Sequence, residues 1–485
     1  GDLEQLLKRA EEIKQPKRRE RLINNADLAR ISAELVTLRT DAPVPMDLCE
    51  LLVQDVKPEA LLSFVEDQGF RSLHSRLAAK MGVKTVEKST PTVADLAEAE
   101  YETVITMDAL QFWIDAAYRL GTVAVDTETT SLNAMRAKLV GLSLSVVPGK
   151  ACYIPVGHIG SDTEGSLALT NDRPGQLPLK DVLDALKPLF EDPGVLKIGQ
   201  NLKYDLLILQ RYGINIRPID DTMLLSYVLE SGLHNHGMDE LSSLHLGHEP
   251  ISFNEVAGTG KNAITFDQVP LDKATDYASE DADITLRLYK TLKPRLRESH
   301  LHTVYETLER PLIPVLVAME KNGIMVDRAT LAGLSQEFAE GKVRLEGEIH
   351  SLAGREFNIG SPKQLGEILF DGMGLESGKK GKSGAKSTSV DVLEGLAADG
   401  HALPAKVIEW RQLSKLKSTY TDTLPNEINE ETGRVHTSYA MAATTTGRLS
   451  SSNPNLQNIP IRTAEGRKIR QAFVPEAGNV LMSAD

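Results

Sequence analysis

The chain has 485 residues, of which 41% are hydrophobic and 25% charged, values that are ordinary for a soluble globular protein of about three domains. No run of about 18 uncharged apolar residues occurs, and the charged start lacks the apolar stretch of a signal peptide, so we expect a cytoplasmic protein without a membrane partner. The two cysteines, Cys49 and Cys152, lie far apart, which argues against disulfide or cysteine-zinc frameworks.

The net charge of −14 is unevenly distributed along the chain. Residues 91–300 carry 18 basic and 30 acidic side chains, whereas residues 377–470 carry 14 basic and 9 acidic ones. Acidic clusters suit metal ions, and basic segments suit phosphates. We therefore expect the middle of the chain to bind cations and its end to face phosphate groups.

The predicted elements begin with helices and continue with an α/β region. Residues 1–82 are predicted to form short helices that cannot build a large core by themselves, and residues 83–100 a polar linker. Residues 101–298 alternate between strand and helix, which predicts an α/β domain. The strands are expected near residues 122–126, 139–146 and 151–156, and the helices near 179–190, 201–212 and onward to about 298.

Residues 299–485 are predicted to be mostly helical at first, with mixed strands and loops towards the end. A loop of Gly, Ser and Lys at 378–389 cannot pack, so its lysines are expected to be free for phosphates. A helix is predicted over 404–426, and "NVLMSAD" (479–485) is predicted to be a buried apolar strand. Because the chain lacks an initiator Met and stops inside that strand, we expect a fragment of a longer protein.

The stretch "GTVAVDTETTSL" (121–132) ends an apolar strand with two acids, Asp126 and Glu128. Residues i and i+2 of a strand face the same way, roughly 6–7 Å apart, so both carboxylates share one face. Burying them costs several kcal/mol unless protons, partners or metals compensate the charges. A solvated strand end is the alternative, because D-x-E is frequent in acidic proteins.

Two helices supply further polar groups at one-turn spacing. Asn201 and Asp205 are four residues apart in one helix, as are Tyr277 and Asp281 in another. Separately, each is well explained as a surface acid or a half-buried tyrosine. Together with Asp126 and Glu128 they give four carboxylates that would repel one another without cations, and hard oxygen ligands favour Mg²⁺ or Mn²⁺. Two such ions cleave phosphodiesters.

The motifs D-T-E-T, N-L-K-Y-D and Y-A-S-E-D resemble those of the DEDD exonucleases of the Tyr subtype, as found in the proofreading domain of bacterial family A DNA polymerases. The resemblance implies a ribonuclease H-like 3'-5' exonuclease domain with two Mg²⁺ or Mn²⁺ ions. It also implies that Asp126 bridges both ions, Glu128 and Asp281 hold the ion on the nucleophile side, and Asp205 holds the second ion through water. Tyr277 would position the attacking water.

The same resemblance implies contacts with the single-stranded 3' end of DNA. Leu132 and Phe253 are similar in position to the apolar residues that wedge and stack frayed bases, and Asn201 to a substrate contact. Stacking on an aromatic ring tolerates any base, as proofreading requires.

Four histidines occur in "HNHGMDELSSLHLGH" (234–248). Their spacing fits no ordinary structural-zinc pattern, and no cysteine is near. The sequence therefore favours neutral polar histidines over a zinc site at this position.

The stretches "FNIGSPKQLGEILF", "RQLSKLKSTYTDTLP", "TTTGRLSSSNPNLQN" and "LMSAD" resemble the thumb, the early palm and the start of motif A of family A DNA polymerases. The resemblance covers about 300–485 and implies a helical thumb and a truncated palm that bind the primer-template duplex. The implied DNA contacts are Lys415, Lys417, Ser418, Thr419, Arg448, Asn455, Gln457 and Asn458. A solvated helix face is the alternative for the lysines.

Asp485 would be the first metal-binding carboxylate of nucleotide addition, and residues 1–82 resemble the final helices of the family's 5' nuclease domain. We therefore expect a monomeric, nucleoid-associated fragment of a bacterial DNA polymerase of replication and repair. Its complete site would be the exonuclease, without polymerase or 5' nuclease activity. The alternatives are an exoribonuclease of the same superfamily and a non-catalytic DNA-binding protein whose acids no longer hold metals.

Overall fold

The structure, a computed structural model, describes residues 2–13, 15–43, 57–68, 70–81, 99–159, 175–376 and 386–482. The chain divides into two compact units. The first consists of Gly1–Thr85 and Phe338–Ser414, and the second of Val86–Glu337 and Lys415–Asp485. Within the described segments, no helix has the length and apolar character needed to cross a membrane.

The first unit begins with the predicted short helices, which the structure confirms. Asp2 caps the first of them by accepting the N–H of Gln5 at 2.8 Å, and Pro16 opens the second, where a missing N–H costs nothing. The first three contain no buried residue, as expected for helices that form no large core. The helices are α1 (Leu3–Lys8), α2 (Pro16–Asn24), α3 (Ala26–Val36), α4 (Pro58–Asp67) and α5 (Arg71–Met81).

A six-stranded mixed sheet forms the centre of the second unit. Its strands are β1 (Glu100–Thr103), β2 (Thr122–Thr129), β3 (Leu139–Val147), β4 (Lys150–Pro155), β5 (Leu196–Gly199) and β6 (Ile219–Asp221). They are ordered β1-β4-β3-β2-β5-β6. β3 runs antiparallel to β2 and β4, whereas β2, β5 and β6 are mutually parallel, as are β1 and β4. The predicted strands and the α/β character of this region are therefore confirmed.

Among the described residues, seven α-helices accompany the sheet. They are α6 (Met107–Leu120), α7 (Leu179–Glu191), α8 (Lys203–Arg211), α9 (Thr222–Glu230), α10 (Met238–Leu246), α11 (Phe253–Ala257) and α12 (Leu271–Glu298). The long helix α12 packs against β2, β3 and β4, and α6 packs against β2 and β3. Because helices cover the sheet, β3 is buried at every position but its last, and its sequence "LVGLSLSVV" is nearly continuous in apolar residues.

The helix predicted over 201–212 begins two residues later, at Lys203. Asn201 has a left-handed backbone conformation, with φ of 56°, so it cannot belong to the helix. The next N–H, that of Leu202, donates to the carboxylate of Asp221 at 2.7 Å. A sharp turn therefore separates β5 from α8 and fixes where the helix starts.

The described residues after α12 are largely helical and include two small sheets. The helices are α13 (His302–Val304), α14 (Arg310–Asn322), α15 (Arg328–Ala353), α16 (Pro362–Gly366), α17 (Val390–Ala398), α18 (Ala402–Leu416), α19 (Leu424–Glu427) and α20 (Ala464–Gln471). The strands are β7 (Ile324–Val326), β8 (Arg434–Val435), β9 (Ser438–Ala440), β10 (Ser450–Ser452) and β11 (Phe473–Val474). β7 lies between β11 and β8, and β9 pairs with β10. π-Helical turns occupy 305–309, 367–372 and 417–421.

Three sequence-based expectations for this part are wrong. The helix predicted over 404–426 is interrupted after Leu416, where the π-helical turn forms and Thr423 donates to the carbonyl of Ser418. Residues 479–482 form no strand and are exposed, because Gly478, with φ of 86°, turns the chain and no described strand pairs with them. In the loop predicted at 378–389, Lys386 is not free, since its ammonium lies 2.9 Å from Asp371.

Part of the predicted loop and linker lies outside the described residues. This applies to 378–385 in the loop and to 83–98 in the linker. It also applies to Cys49 and Asp485, whereas Cys152 is buried as a free thiol.

Candidate active site

Two of the predicted acids stand at the carboxyl end of β2. In the ladder with β3, Asp126 is opposite Ser143 and Glu128 is opposite Gly141. Gly141 is required here, since a Cβ at this position would lie 2.2 Å from the hydroxyl oxygen of Tyr153. Glu128 is 8% exposed, so its carboxylate is held in an environment that contains little water.

Helix α8 brings Asp205 to the same strand. Its Oδ1 accepts two hydrogen bonds from Thr127, from the N–H at 3.0 Å and from the hydroxyl at 2.5 Å. Thr127 lies between the two acids of β2, and Asp205 is buried. The third acid is therefore fixed to the segment of backbone that carries the first two.

Helix α12 supplies the remaining groups, Tyr277 and Asp281, which lie one turn apart. One carboxylate oxygen from each of Asp126, Glu128 and Asp281 lies within 4.8 Å of the others. Tyr277 and Asp281 are close enough that each side chain influences the pKa of the other. The structure thus brings together the four acids and the tyrosine predicted from the sequence, although they come from β2, α8 and α12.

Burial and mutual repulsion make these acids hard to ionise. Burial raises the pKa of Asp126 to about 7. The pKa values of Glu128, Asp205 and Asp281 are raised well above the ordinary range, first by burial and then by the negative charge of Asp126. The pKa of Tyr277 is raised by burial and by the nearby Asp281, so its hydroxyl keeps its proton.

The residues fit a divalent metal. Oε1 of Glu128 is buried and has no hydrogen-bond partner among the described residues, which is costly for a carboxylate oxygen. Clustered carboxylate oxygens are the ligands that Mg²⁺ and Mn²⁺ prefer. A cation among them would compensate the charge and give the unpartnered oxygen a ligand bond.

We predict that the metal-free protein loses stability as the pH rises from about 4 to about 7. Between these values Asp126 is ionised in the unfolded chain but still protonated in the folded one, whose pKa is about 7. The folded state then binds more protons, so the free energy of unfolding falls with pH. A tenfold difference in proton affinity corresponds to about 1.4 kcal/mol, and the loss should reach several kcal/mol.

Urea unfolding in EDTA at pH 5 and pH 8 tests this prediction. The matched variant is Asp126→Asn, which keeps the shape but removes one charge. The free energy of unfolding of the variant, relative to that of the wild type, should increase as the pH rises. When Mn²⁺ replaces EDTA, the wild type should be the more stable of the two proteins. The same difference in free energy of unfolding between the variant and the wild type at both pH values would contradict the prediction.

The three residues predicted to contact single-stranded DNA lie near these acids. Leu132 is 96% exposed and, with Asn201, lines a cavity of about 620 Å³ that also contains Asp126 and Asp205. Phe253 is half-exposed, and its ring contacts Tyr277 edge-on with centroids 6.3 Å apart. An exposed leucine and an exposed aromatic ring beside the acids are surfaces on which bases could stack.

The predicted lysine contacts differ in their availability. Lys415, Ser418 and Thr419 are exposed. Lys417 is engaged, since its ammonium lies 2.8 Å from Asp422 and 3.0 Å from the hydroxyl of Ser335. Lys417 must leave its carboxylate partner before it could bind a phosphate.

The predicted contacts in "TTTGRLSSSNPNLQN" are exposed but partly used within their own loop. Arg448 is exposed. Oδ1 of Asn455 accepts the N–H groups of Gln457 and Asn458, and Oε1 of Gln457 accepts the N–H of Ser451 at 3.0 Å. The amide N–H₂ ends of these side chains donate no hydrogen bond to the residues that the structure describes.

Sequence reasoning missed two features of the site. One is Thr127, whose hydroxyl fixes Asp205; its place inside the D-T-E-T motif was a usable signal. The other is a buried ion pair between Lys203 and Glu320, with 2.5 Å between the charged atoms, which adjoins the same cavity. No local pattern relates these two residues, because they lie 117 positions apart.

Two regions of the chain match known protein families. Residues 101–297 match the family described as 3'-5' exonuclease, and residues 328–485 match DNA polymerase family A. The first match covers the six-stranded sheet and α12, and therefore all the acids of the candidate site that the structure describes.

Individual relatives agree with these matches. DNA polymerase I of Rhizobium leguminosarum is 48% identical, over 100% of this chain and 55% of its own length. DNA polymerase I of Pseudomonas aeruginosa is 43% identical, over 96% of this chain and 50% of its own. The solved POL domain of Pol1 from M. smegmatis, in complex with DNA primer-template and dNTP, has a TM-score of 0.63 at 29% identity, over 78% of this chain and 59% of that one. The chain thus spans about half the length of the curated relatives it matches.

Proposed function

This chain belongs to DNA polymerase family A and includes a 3'-5' exonuclease region, and from this premise we propose that residues 101–298 remove nucleotides from the 3' end of DNA. The proposed reaction is hydrolysis of the terminal phosphodiester with two Mg²⁺ or Mn²⁺ ions. We propose a ribonuclease H-like fold for this domain, which the mixed sheet supports. We propose that residues 1–82 are the remnant of a 5' nuclease domain and that residues 83–100 are a linker. Residues 299–485 are proposed to form a thumb and the start of a palm.

One observation carries the proposal. Four carboxylates from β2, α8 and α12 converge, and a buried oxygen of Glu128 has no partner among the described residues. A purely structural cluster would pair its acids with lysine, arginine or backbone N–H groups. In this cluster Asp205 is the acid with two donors from Thr127, whereas the other three face one another.

Each residue has a proposed role. Asp126 would hold both ions, Glu128 and Asp281 would hold the ion on the side of the attacking water, and Asp205 would hold the second ion through water. Tyr277 keeps its proton and is placed beside Asp281, so its hydroxyl can orient the water. When bound, such a metal pair activates water and stabilises the leaving oxygen.

The substrate end is proposed to lie in the cavity beside the acids. Leu132 would wedge between terminal bases, Phe253 would stack on one, and Asn201 would bind the strand with its amide. None of these contacts selects a particular base edge, so the site would accept any mispaired end.

Residues 328–485 are proposed to bind the primer-template duplex, as the solved M. smegmatis relative does. The proposed DNA contacts include the exposed residues Lys415, Ser418, Thr419 and Arg448. The other proposed contacts are Lys417, Asn455, Gln457 and Asn458. DNA-directed DNA synthesis is a proposal for the whole protein, in which Asp485 would bind a catalytic metal. We also propose a monomer that works in the bacterial cytoplasm on the nucleoid.

The direct test is degradation of a single-stranded oligonucleotide that carries a label near its 5' end. With Mg²⁺ or Mn²⁺ the protein should shorten it stepwise and release nucleoside monophosphates, and EDTA should stop the reaction. A matched RNA oligonucleotide should be degraded much more slowly. Faster degradation of RNA would indicate the exoribonuclease alternative, and binding without degradation would indicate a non-catalytic DNA-binding protein.

We predict that Tyr277→Phe lowers the rate of hydrolysis by about 10- to 100-fold, because the water loses one orienting group while the metal ligands remain. The ring should stay in place, since it packs against Phe253 and Phe266. Single-turnover kinetics with saturating protein measure the rate, and oligonucleotide affinity in EDTA is the control. An unchanged rate would exclude the proposed role of the hydroxyl.

A further inference from the structure

A second group of potential metal ligands lies away from the acid cluster, in the segment between α9 and α10. Glu230 ends α9, His234 lies in the following loop, and His245 is near the end of α10. One ligand atom from each lies within 4.8 Å of the others. The three side chains are largely withdrawn from water, with exposures of 16%, 2% and 12%.

The ring of His234 lies between two hydrogen-bond acceptors. Its Nδ1 lies 2.5 Å from the carbonyl oxygen of Asn235, which can only accept, so Nδ1 carries a proton. In a neutral imidazole Nε2 then presents a lone pair. This nitrogen lies 2.7 Å from Oε2 of Glu230, which is also an acceptor. Two acceptors at this distance need either a second proton on the ring or a metal ion near them.

His245 supplies an independent observation. Its Nε2 is buried and makes no hydrogen bond within the described part of the chain, yet it lies 3.1 Å from the same oxygen of Glu230. A buried ring nitrogen that makes no hydrogen bond is costly. A metal ion near this oxygen would bind both imidazoles and the carboxylate, and would satisfy all three groups.

The surroundings orient these side chains. Arg295 donates to the other carboxylate oxygen of Glu230 at 2.6 Å, which leaves Oε2 for the histidines. The carbonyl of Asn235 fixes the ring of His234 in the way that outer hydrogen bonds usually fix metal-binding histidines. Arg295 also adds a positive charge, which lowers the affinity for a cation relative to a site without it.

We propose that Glu230, His234 and His245 bind a divalent transition metal, with Zn²⁺ as the preferred ion. Two imidazole nitrogens and one carboxylate oxygen are typical zinc ligands, and water would complete the coordination. Mg²⁺ prefers oxygen ligands and would not compete well here. The bound ion joins the end of α9 to α10, so its role is to stabilise this part of the second unit.

The test is calorimetric titration of the wild-type protein with Zn²⁺ in a large excess of Mg²⁺, which occupies oxygen-only sites. We expect one Zn²⁺ bound per chain. Co²⁺ as a substitute probe should give the intense visible absorption of a site of low coordination number with nitrogen ligands. The absence of Zn²⁺ binding by the wild type would overturn the proposal. A second proton on the ring of His234 would then account for its two contacts with acceptors.

Matched variants locate the ion. His245→Gln should lower the Zn²⁺ affinity by at least about 10-fold and remove the Co²⁺ absorption. His302→Gln, which changes an exposed histidine of the same unit, should change neither. Asp126→Asn should also leave the Co²⁺ absorption intact, because the acid cluster is a different site. Equal Zn²⁺ affinity in the wild type and His245→Gln would refute the assignment, with circular dichroism confirming that both are folded.

Discussion

Asp126→Asn is expected to lower the rate of 3'-5' hydrolysis by more than about 10³-fold in saturating Mg²⁺. Asp126 shares a ligand cluster with Glu128 and Asp281, and its charge is the first electrostatic cause of the raised pKa values of Asp205 and Asp281. An amide cannot supply the negative charge that holds two cations, so the loss should exceed that of an orienting group such as Tyr277.

The design separates chemistry from folding. Asparagine keeps the shape of the side chain and removes one repulsive charge, so the metal-free variant should be at least as stable as the wild type above pH 7. The control is Asp276→Asn, which changes an exposed acid on α12, the helix that carries Asp281. Its rate should match that of the wild type. If the Asp126→Asn variant hydrolysed DNA at a rate within tenfold of the wild-type rate, the proposed metal-binding role of Asp126 would be excluded.

The acid cluster was predictable because periodicity and motif spacing agreed. Strand alternation placed Asp126 and Glu128 on one face, and one-turn spacing placed Tyr277 beside Asp281. The convergence of three elements followed from the resemblance and not from any local pattern. The structure adds the reason that Asp205 is held in place, which is its pair of hydrogen bonds from Thr127.

Contacts between distant positions could not be predicted in the same way. The spacing of the four histidines argued against zinc, yet Glu230, which belongs to no histidine motif, completes a ligand set with two of them. A spacing rule considers residues that are close in sequence, whereas α9 and α10 bring these groups together through the path of the chain. The break in the helix at 417–421 likewise follows no local pattern, and Lys417 at its start contacts Ser335, which lies 82 positions earlier.

The buried pair of Lys203 and Glu320 connects the acid cluster to the rest of the second unit. The two side chains are 8% and 4% exposed, and Oε1 of Glu320 also accepts the N–H of Tyr439 at 2.7 Å. The backbone carbonyl of Glu320 accepts a hydrogen bond from His436 at 2.7 Å. Lys203 lies two residues before Asp205 at the start of α8, so this pair joins the helix of the third acid to α14 and β9.

Lys203→Met is therefore expected to lower the free energy of unfolding of the second unit by about 3–5 kcal/mol, because Glu320 would keep a buried charge without a counterion. The variant Lys203→Met/Glu320→Gln should recover most of this loss, since glutamine is neutral and still accepts from Tyr439. Urea unfolding can be followed through Trp113 in a Trp410→Phe background, because these are the two tryptophans of the chain. Lys180→Met, which breaks an exposed pair with Asp184, is the control and should change little. If the double variant were no more stable than Lys203→Met, the loss would come from packing of the lysine side chain, and the pair would not be what holds α8 to α14 and β9.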